Sequence, residues 1–160
     1  EREWFVFHSR PRCEKKAATT CLDAGVRHYL PLRRSSGQSG KRKYSFDVPL
    51  LPGYLFGCCD REERLVLQRS GYLVRTIEVV DQGRLLGELA NIHRATSTGA
   101  DLVLYPLLKR GKQVRIVRGP LTGVTGKVSK RKESFRIVLN VTILNTAVAA
   151  ELDMGDVEAL

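Results

Sequence analysis

Three glycines and a proline in Gly119-Pro-Leu-Thr-Gly123-Val-Thr-Gly126-Lys-Val128 punctuate two stretches of alternating side chains. Ahead of them Val114 and Ile116 flank Arg115. Behind them Phe135, Ile137, Leu139 and Val141 alternate with Arg136, Val138 and Asn140. A period of two sends successive residues to opposite faces of a strand, and glycine supplies the positive φ that tight turns demand. The pattern predicts a small β-barrel built around a Gly-dependent turn. β-Branched residues dominate Val114 to Val141, which argues against a helical resting state there.

A length of 160 residues suits one domain or two small ones. The net charge of +10 and pI near 9.8 favour polyanionic partners. That charge is localised: Lys109 to Arg136 holds ten Lys or Arg and one acid, Glu133, whereas residues 151–158 hold four acids and no base. Arg27 to Lys43 adds six bases without an acid. Solvated hairpin faces account for such runs as well as polyanion binding does.

Cys13, Cys21, Cys58 and Cys59 lack CxxC spacing and a neighbouring histidine pair, so no metal site and no cofactor is expected. Structural packing is the expected role of Cys58-Cys59. No apolar stretch is long enough to cross a membrane and no signal-like segment opens the chain, which points to a reducing cytoplasm and no membrane partner. The missing initiator methionine suggests trimming.

Along the chain, Trp4 to His8 reads as a strand, followed by a helix that starts near Pro11 and closes at Gly25. That helix turns Cys13, Ala17 and Cys21 inward, with Ala18 and Leu22 alongside. Val26 to Leu32 reads as a strand, Arg33 to Lys43 as a flexible basic hairpin loop, and Tyr44 to Leu50 as the return strand. Tyr54 to Cys59 is an apolar run fit for a central strand. Arg61 to Gln68 reads as an amphipathic helix, Tyr72 to Val80 as strand, and Leu85 to Arg94 as a helix with Leu86, Leu89 and Ala90 inward. Periodicity lapses around Ser97-Thr-Gly99 and Tyr105-Pro106. The expected organisation is a first domain over residues 1–98, a linker over 99–107, and a second domain over 108–160.

Two blocks of residues carry a family resemblance. Gly111-x-x-Val-x-Ile-x-x-Gly119-Pro-Leu-x-Gly123-x-x-Gly126-x-Val128 resembles the KOW motif of transcription elongation factors and some ribosomal proteins. Trp4-Phe5, Pro11-Arg12-x-Glu14-Lys15-Lys16, Tyr29-Leu30-Pro31 and Pro49-Leu-Leu-Pro52-Gly53-Tyr54-Leu55-Phe56 resemble the N-terminal domain of NusG-family transcription factors. The two occur in the family's order. The fold this implies is α+β: an N-terminal antiparallel sheet packed with helices, followed by a small SH3-like KOW β-barrel.

The resemblance further implies that the first domain docks an apolar cavity onto the clamp helices of RNA polymerase, bridging the nucleic-acid channel and disfavouring paused states. Matching cavity residues are Phe5, Phe7, His8, Tyr54 and Phe56; strand core is the plain alternative for Phe5, Phe7 and Phe56. Arg10, Arg12, Lys15 and Lys16 fall where relatives approach upstream or non-template DNA, with phosphate contact as the expected mode. Lys127, Lys130, Arg131 and Lys132 are candidates for nascent RNA or DNA. Tyr44 and Phe46 are expected to pack within their hairpin rather than stack on bases.

In the second domain relatives bind ribosomal protein S-ten or Rho through an apolar edge. The corresponding positions here are Val124 and Ile143-Leu144, an exposed pair in a loop. Housekeeping members carry an aromatic followed by glycine at the loop; Leu144-Asn145 departs from that and is more like the specialised RfaH/UpxY-type antiterminators. The expected function is therefore polymerase-bound antitermination by a monomer. A housekeeping elongation factor linked to Rho is one alternative, and a KOW-containing ribosomal or ribosome-assembly protein is another. Neither a P-loop nor Gly-x-Ser-x-Gly is present, and an enzyme is not expected.

Overall fold

The computed structural model describes residues 1–160. Two compact units divide the chain, Glu1–Gln82 and Gly83–Leu160.

In the first unit β1 (Glu3–Ser9) leads to α1 (Glu14–Asp23), β2 (Arg27–Tyr29), β3 (Leu32–Ser39), β4 (Arg42–Pro49), β5 (Tyr54–Cys59), α2 (Arg61–Gln68) and β6 (Leu73–Glu78). A four-stranded antiparallel sheet has the order β2-β5-β1-β6, so the two most apolar strands sit centrally. Parity decides what each residue meets. Phe5, Phe7, Leu55 and Cys59 share one face and form a core with Ala17, Cys21 and Val26 from the α1 side and Leu67 of α2. Gly57 admits the Phe7 ring, which a Cβ there would meet at 2.8 Å. Trp4, Val6 and His8 of β1, with Tyr54 and Phe56 of β5, lie on the opposite face.

Both helices of this unit stop and start for visible reasons. α1 ends in a left-handed Gly25 (φ 69°), with the Val26 N–H bonded to the Cys21 carbonyl and both side chains buried. α2 opens on a capping box in which Asp60 accepts the Glu63 N–H at 2.8 Å and Glu63 accepts the Asp60 N–H at 3.0 Å. The Glu63 N–H holds the Asp60 carboxyl below its ordinary pKa, with further help from Arg2.

The second unit takes in nearly all of α3 (Gln82–Ser97), then β7 (Val103–Pro106), β8 (Gln113–Ile116), β9 (Thr125–Arg131), β10 (Ser134–Val141), a 3-10 turn at Thr142–Leu144, β11 (Thr146–Leu152) and, after a second such turn, β12 (Val157–Ala159). Its strands form one antiparallel sheet in the order β12-β8-β9-β10-β11-β7. Val114, Ile116, Ile137, Leu139, Val141 and Val148 are fully or nearly fully buried. Gly126 faces the backbone of β10 so closely that a Cβ would sit 2.6 Å from the Val138 carbonyl oxygen.

Several expectations change. Residues 99–107 contain β7, which pairs with β11 from Val103↔Ala149 to Pro106↔Thr146, and the division between units falls before residue 98, at Gln82 and Gly83. Arg33 to Lys43 is strand rather than flexible loop: β3 and β4 pair over eight residues with only Gly40-Lys41 turning between them. Gly37, which looks like a linker glycine, lies under the Tyr44 ring, which covers the bare backbone. The strand expected over Val26 to Leu32 breaks at Leu30-Pro31 into β2 and β3. Helix phase differs too. α1 turns Glu14, Ala17 and Cys21 inward and leaves Leu22 70 % exposed; α3 buries Leu85, Leu89, Ile92 and Ala95, with Leu86 and Ala90 outside.

Candidate functional site

Between β4 and β5 the chain turns at Pro52-Gly53, and Gly53 takes a φ of 89° that only glycine adopts without strain. Its N–H donates to the buried Glu14 carboxylate at 2.9 Å, and its carbonyl accepts the Ser9 N–H at 2.8 Å. The corner is thus held on both sides by β1 and α1. Directly beyond it Tyr54 stacks on its cross-strand partner His8, with ring centroids 4.9 Å apart and 20° between planes. Both rings are half-buried.

The five aromatic-cavity candidates therefore separate. His8, Tyr54 and Phe56 share one sheet face, though Phe56 is fully buried. Phe5 and Phe7 lie on the other face, inside the α1–α2 core, and the Arg64 guanidinium lies 4.5 Å from the Phe5 ring centre. Strand parity removes them from a cavity built around Tyr54.

Arg10, Arg12, Lys15 and Lys16 are all exposed, and none is ion-paired. Arg12 holds a left-handed φ of 62° at the turn before α1, which sets its side chain apart from the helical ones. Lys15 donates to the Asp47 carbonyl, and Lys16 lies 6.0 Å from the Tyr72 ring centre. Arg12 and Lys15 also line a groove of about 720 Å³ together with His8, Phe46, Val48 and Gly53. The turn corner, the basic cluster and the β3–β4 ribbon meet at this groove.

In the second unit the basic candidates behave differently from one another. Lys127 reaches back to the Leu108 and Lys109 carbonyls, at 3.3 and 2.8 Å. Lys130 lies over the Phe135 ring at 5.5 Å, and Arg131 and Arg136 flank Tyr105 at 5.7 and 5.8 Å. Lys132 is exposed at the β9–β10 turn with φ 54°. Val124 is fully buried, so this side chain is core and not surface. Ile143 and Leu144 are half-buried in the 3-10 turn rather than exposed in an open loop, and Asn145 closes that turn at φ 52°.

Sequence reading missed the polar contacts that order these segments. On α3, Glu88 accepts both the N–H and the hydroxyl of Thr142, Asn91 exchanges two bonds with the backbone of Thr125, and Arg94 donates to the Gly123 carbonyl. Nothing in the α3 sequence beyond polar residues at helical spacing signals them. Glu14 follows the same rule: a carboxylate in a first turn reads as a dipole partner, and only the fold reveals its long-range acceptor role.

No group of three or more His, Cys, Asp or Glu is placed to hold a metal ion, and no helix is long and apolar enough to cross a membrane. What stands out is an antiparallel sheet with a pinned aromatic corner beside unpaired cations, joined to a second small β unit. The chain belongs to the NusG family: residues 2–88 match the family model described as Transcription termination factor nusG. No curated protein matches the chain. Among solved structures it is similar to NusG of Thermotoga maritima, described for its domain interaction, at 19% identity and a TM-score of 0.54, covering 100% of this chain and 98% of that one. An MjSpt4:Spt5 complex in conformation B matches at 15% identity and a TM-score of 0.35, over 98% of this chain and 96% of that one.

Proposed function

We propose that this chain is an elongation and antitermination factor of the specialised RfaH/UpxY type, which binds the clamp helices of RNA polymerase at the His8–Tyr54 corner and suppresses pausing or termination. The pinned corner carries the reading. A half-buried aromatic pair fixed by Glu14 and Ser9 loses little freedom on docking, which is what an anchor residue needs. Bridging the polymerase jaws then favours the closed clamp by differential binding alone. Such a role calls for no catalytic residue and no cofactor, and we read the protein as a cytoplasmic, monomeric, non-enzymatic factor.

The six-stranded sheet is read as the KOW barrel, with Gly119 and Gly123 at φ 89° and 93° supplying the motif's turns. Asn145 in the left-handed conformation fits a position where housekeeping relatives carry glycine, and Leu144 replaces their aromatic residue. This supports the specialised reading, with ribosomal protein S-ten a better partner than Rho. Arg10, Arg12, Lys15 and Lys16 serve as phosphate contacts to non-template DNA.

Titration of the full chain against RNA polymerase tests the corner. Tyr54→Ala should weaken binding by roughly 1 to 3 kcal/mol, and shorten read-through on a terminator-bearing template, while circular dichroism stays that of the parent. Unchanged affinity in a folded variant removes Tyr54 from the site.

A further inference from the structure

The β3–β4 ribbon forms a two-stranded sheet of its own, and one face of it carries two exposed aromatic rings. Tyr44 and Phe46 project from that face 49% and 40% exposed, with ring centres 5.8 Å apart and 28° between planes. Their cross-strand partners are Gly37 and Ser35, and Ser39 stands opposite Arg42. Small partners leave the rings uncovered. Val48 and its partner Arg33 continue the same face, so an arginine lies toward each end of the aromatic pair.

Charge and hydrogen-bonding capacity narrow the occupant. The ribbon from 32 to 49 holds five Lys or Arg against one acid, Asp47, and that acid is paired with Arg34 on the other face. Flat aromatic rings between cations suit a polyanion whose own units are flat, which is a single strand with unstacked bases. Ser35 stands opposite Phe46 and Ser39 opposite Arg42 on this face, and a hydroxyl that both donates and accepts is the group that a ribose 2′-OH can pair with. We infer that the Tyr44–Phe46 face of the ribbon binds single-stranded RNA, stacking two successive bases on the two rings while Arg33 and Arg42 meet the flanking phosphates.

This site goes beyond polymerase docking and needs no polymerase to be tested. The probe is a fluorescein-labelled twelve-residue oligouridylate, with oligodeoxyuridylate and a duplex RNA as comparison arms, titrated into the full chain at two salt concentrations. Tyr44→Leu and Phe46→Leu keep apolar cover over the ribbon but remove the π-faces, and each should weaken oligouridylate binding by about 5-fold or more without changing the salt slope. Arg33→Gln with Arg42→Gln should lower that slope by roughly 0.7 per lost contact. Tyr44→Trp should retain affinity and show quenching of its indole fluorescence on binding, which keeps the test decisive if a leucine variant folds poorly. Wild-type affinity in folded leucine variants, equal binding of the deoxy strand, preference for the duplex, or indole fluorescence unchanged by oligouridylate in the Tyr44→Trp variant would each overturn the proposal.

Discussion

The Glu14 carboxylate, buried in the first turn of α1, receives the N–H of Gly53 from a turn 39 residues away. The same glycine's carbonyl is held by the Ser9 N–H, so the corner next to the stacked Tyr54 and His8 rings is tied from both sides. Glu14→Ala leaves a donor unpaired in a partly buried turn and should cost about 1 to 3 kcal/mol in urea unfolding. Glu14→Gln, which keeps an acceptor, should recover much of that. Amide exchange at Gly53 reads the bond itself: equal protection in the alanine variant would mean the corner is held by other means.

Gly126→Ala drives a methyl against the Val138 carbonyl at 2.6 Å and against the Ile137 side chain at 2.9 Å. Backbone on the far side cannot swing away as a side chain would. A loss of roughly 1 to 3 kcal/mol or more is expected, concentrated in the second unit. Gly87→Ala, with open space around it on α3, serves as the control and should be neutral or mildly stabilising.

Burial pushes the Cys21 and Cys59 thiols up to about 11. Folded, they stay protonated at pH values where an unfolded thiol has ionised, so their stability contribution is intact below the ordinary value of 9.0 and is lost as pH climbs toward 11. Near neutral pH only half-buried Cys13 and Cys58 should react quickly with a maleimide, as counted by mass spectrometry. Rapid labelling of all four would contradict the packing described.

The exposed cluster of Arg10, Arg12 and Lys16 should govern the salt dependence of single-stranded DNA binding. Neutralising the three should lower the log–log slope by roughly 0.7 for each phosphate contact removed. Lys127→Ala should change it little, since its ammonium is engaged by two carbonyls. A slope unmoved by the triple variant would leave this protein without that DNA contact.

Asn91 presents its amide to Thr125 as a neighbouring strand would, donating to the carbonyl and accepting from the N–H at 3.0 Å. Replacing it with Ala should speed amide exchange at Thr125 selectively. Glu88→Ala should do the same at Thr142.

Legibility in the sequence follows how local the determining force is. The bounds of α2 at Arg61 and Gln68 are readable because an amphipathic pattern ends where the turn residues begin, and the Asp60-x-x-Glu63 spacing is a capping signal that the periodicity alone does not use. The central strand from Tyr54 to Cys59 is equally plain. Helix phase is harder: in α1 Ala17 and Cys21 face inward as their spacing predicts, but the third inward residue is Glu14, bonded to Gly53, and Leu22 stands outside. The ribbon hides because Ser-Ser-Gly-Gln-Ser-Gly has a loop's composition, and its cover, the Tyr44 ring over Gly37, comes from seven residues further on. For the candidate site, listing aromatics gathers Phe5 and Phe7 with His8, whereas counting residues by twos along β1 parts them.

The ribbon's independence of the larger sheet carries an evolutionary consequence of arithmetic. With no ladder joining β3 or β4 to a neighbour, the reach of this arm is limited only by its own two strands. Adding two residues to each strand would lengthen it by ~7 Å and return every side chain to the side it came from. Adding one to each would carry both rings around to the side of Arg34 and Asp47. Descendants of this chain can therefore grow or shorten the arm in even steps while keeping its aromatic side, and a matched odd step in both strands exchanges one surface for the other.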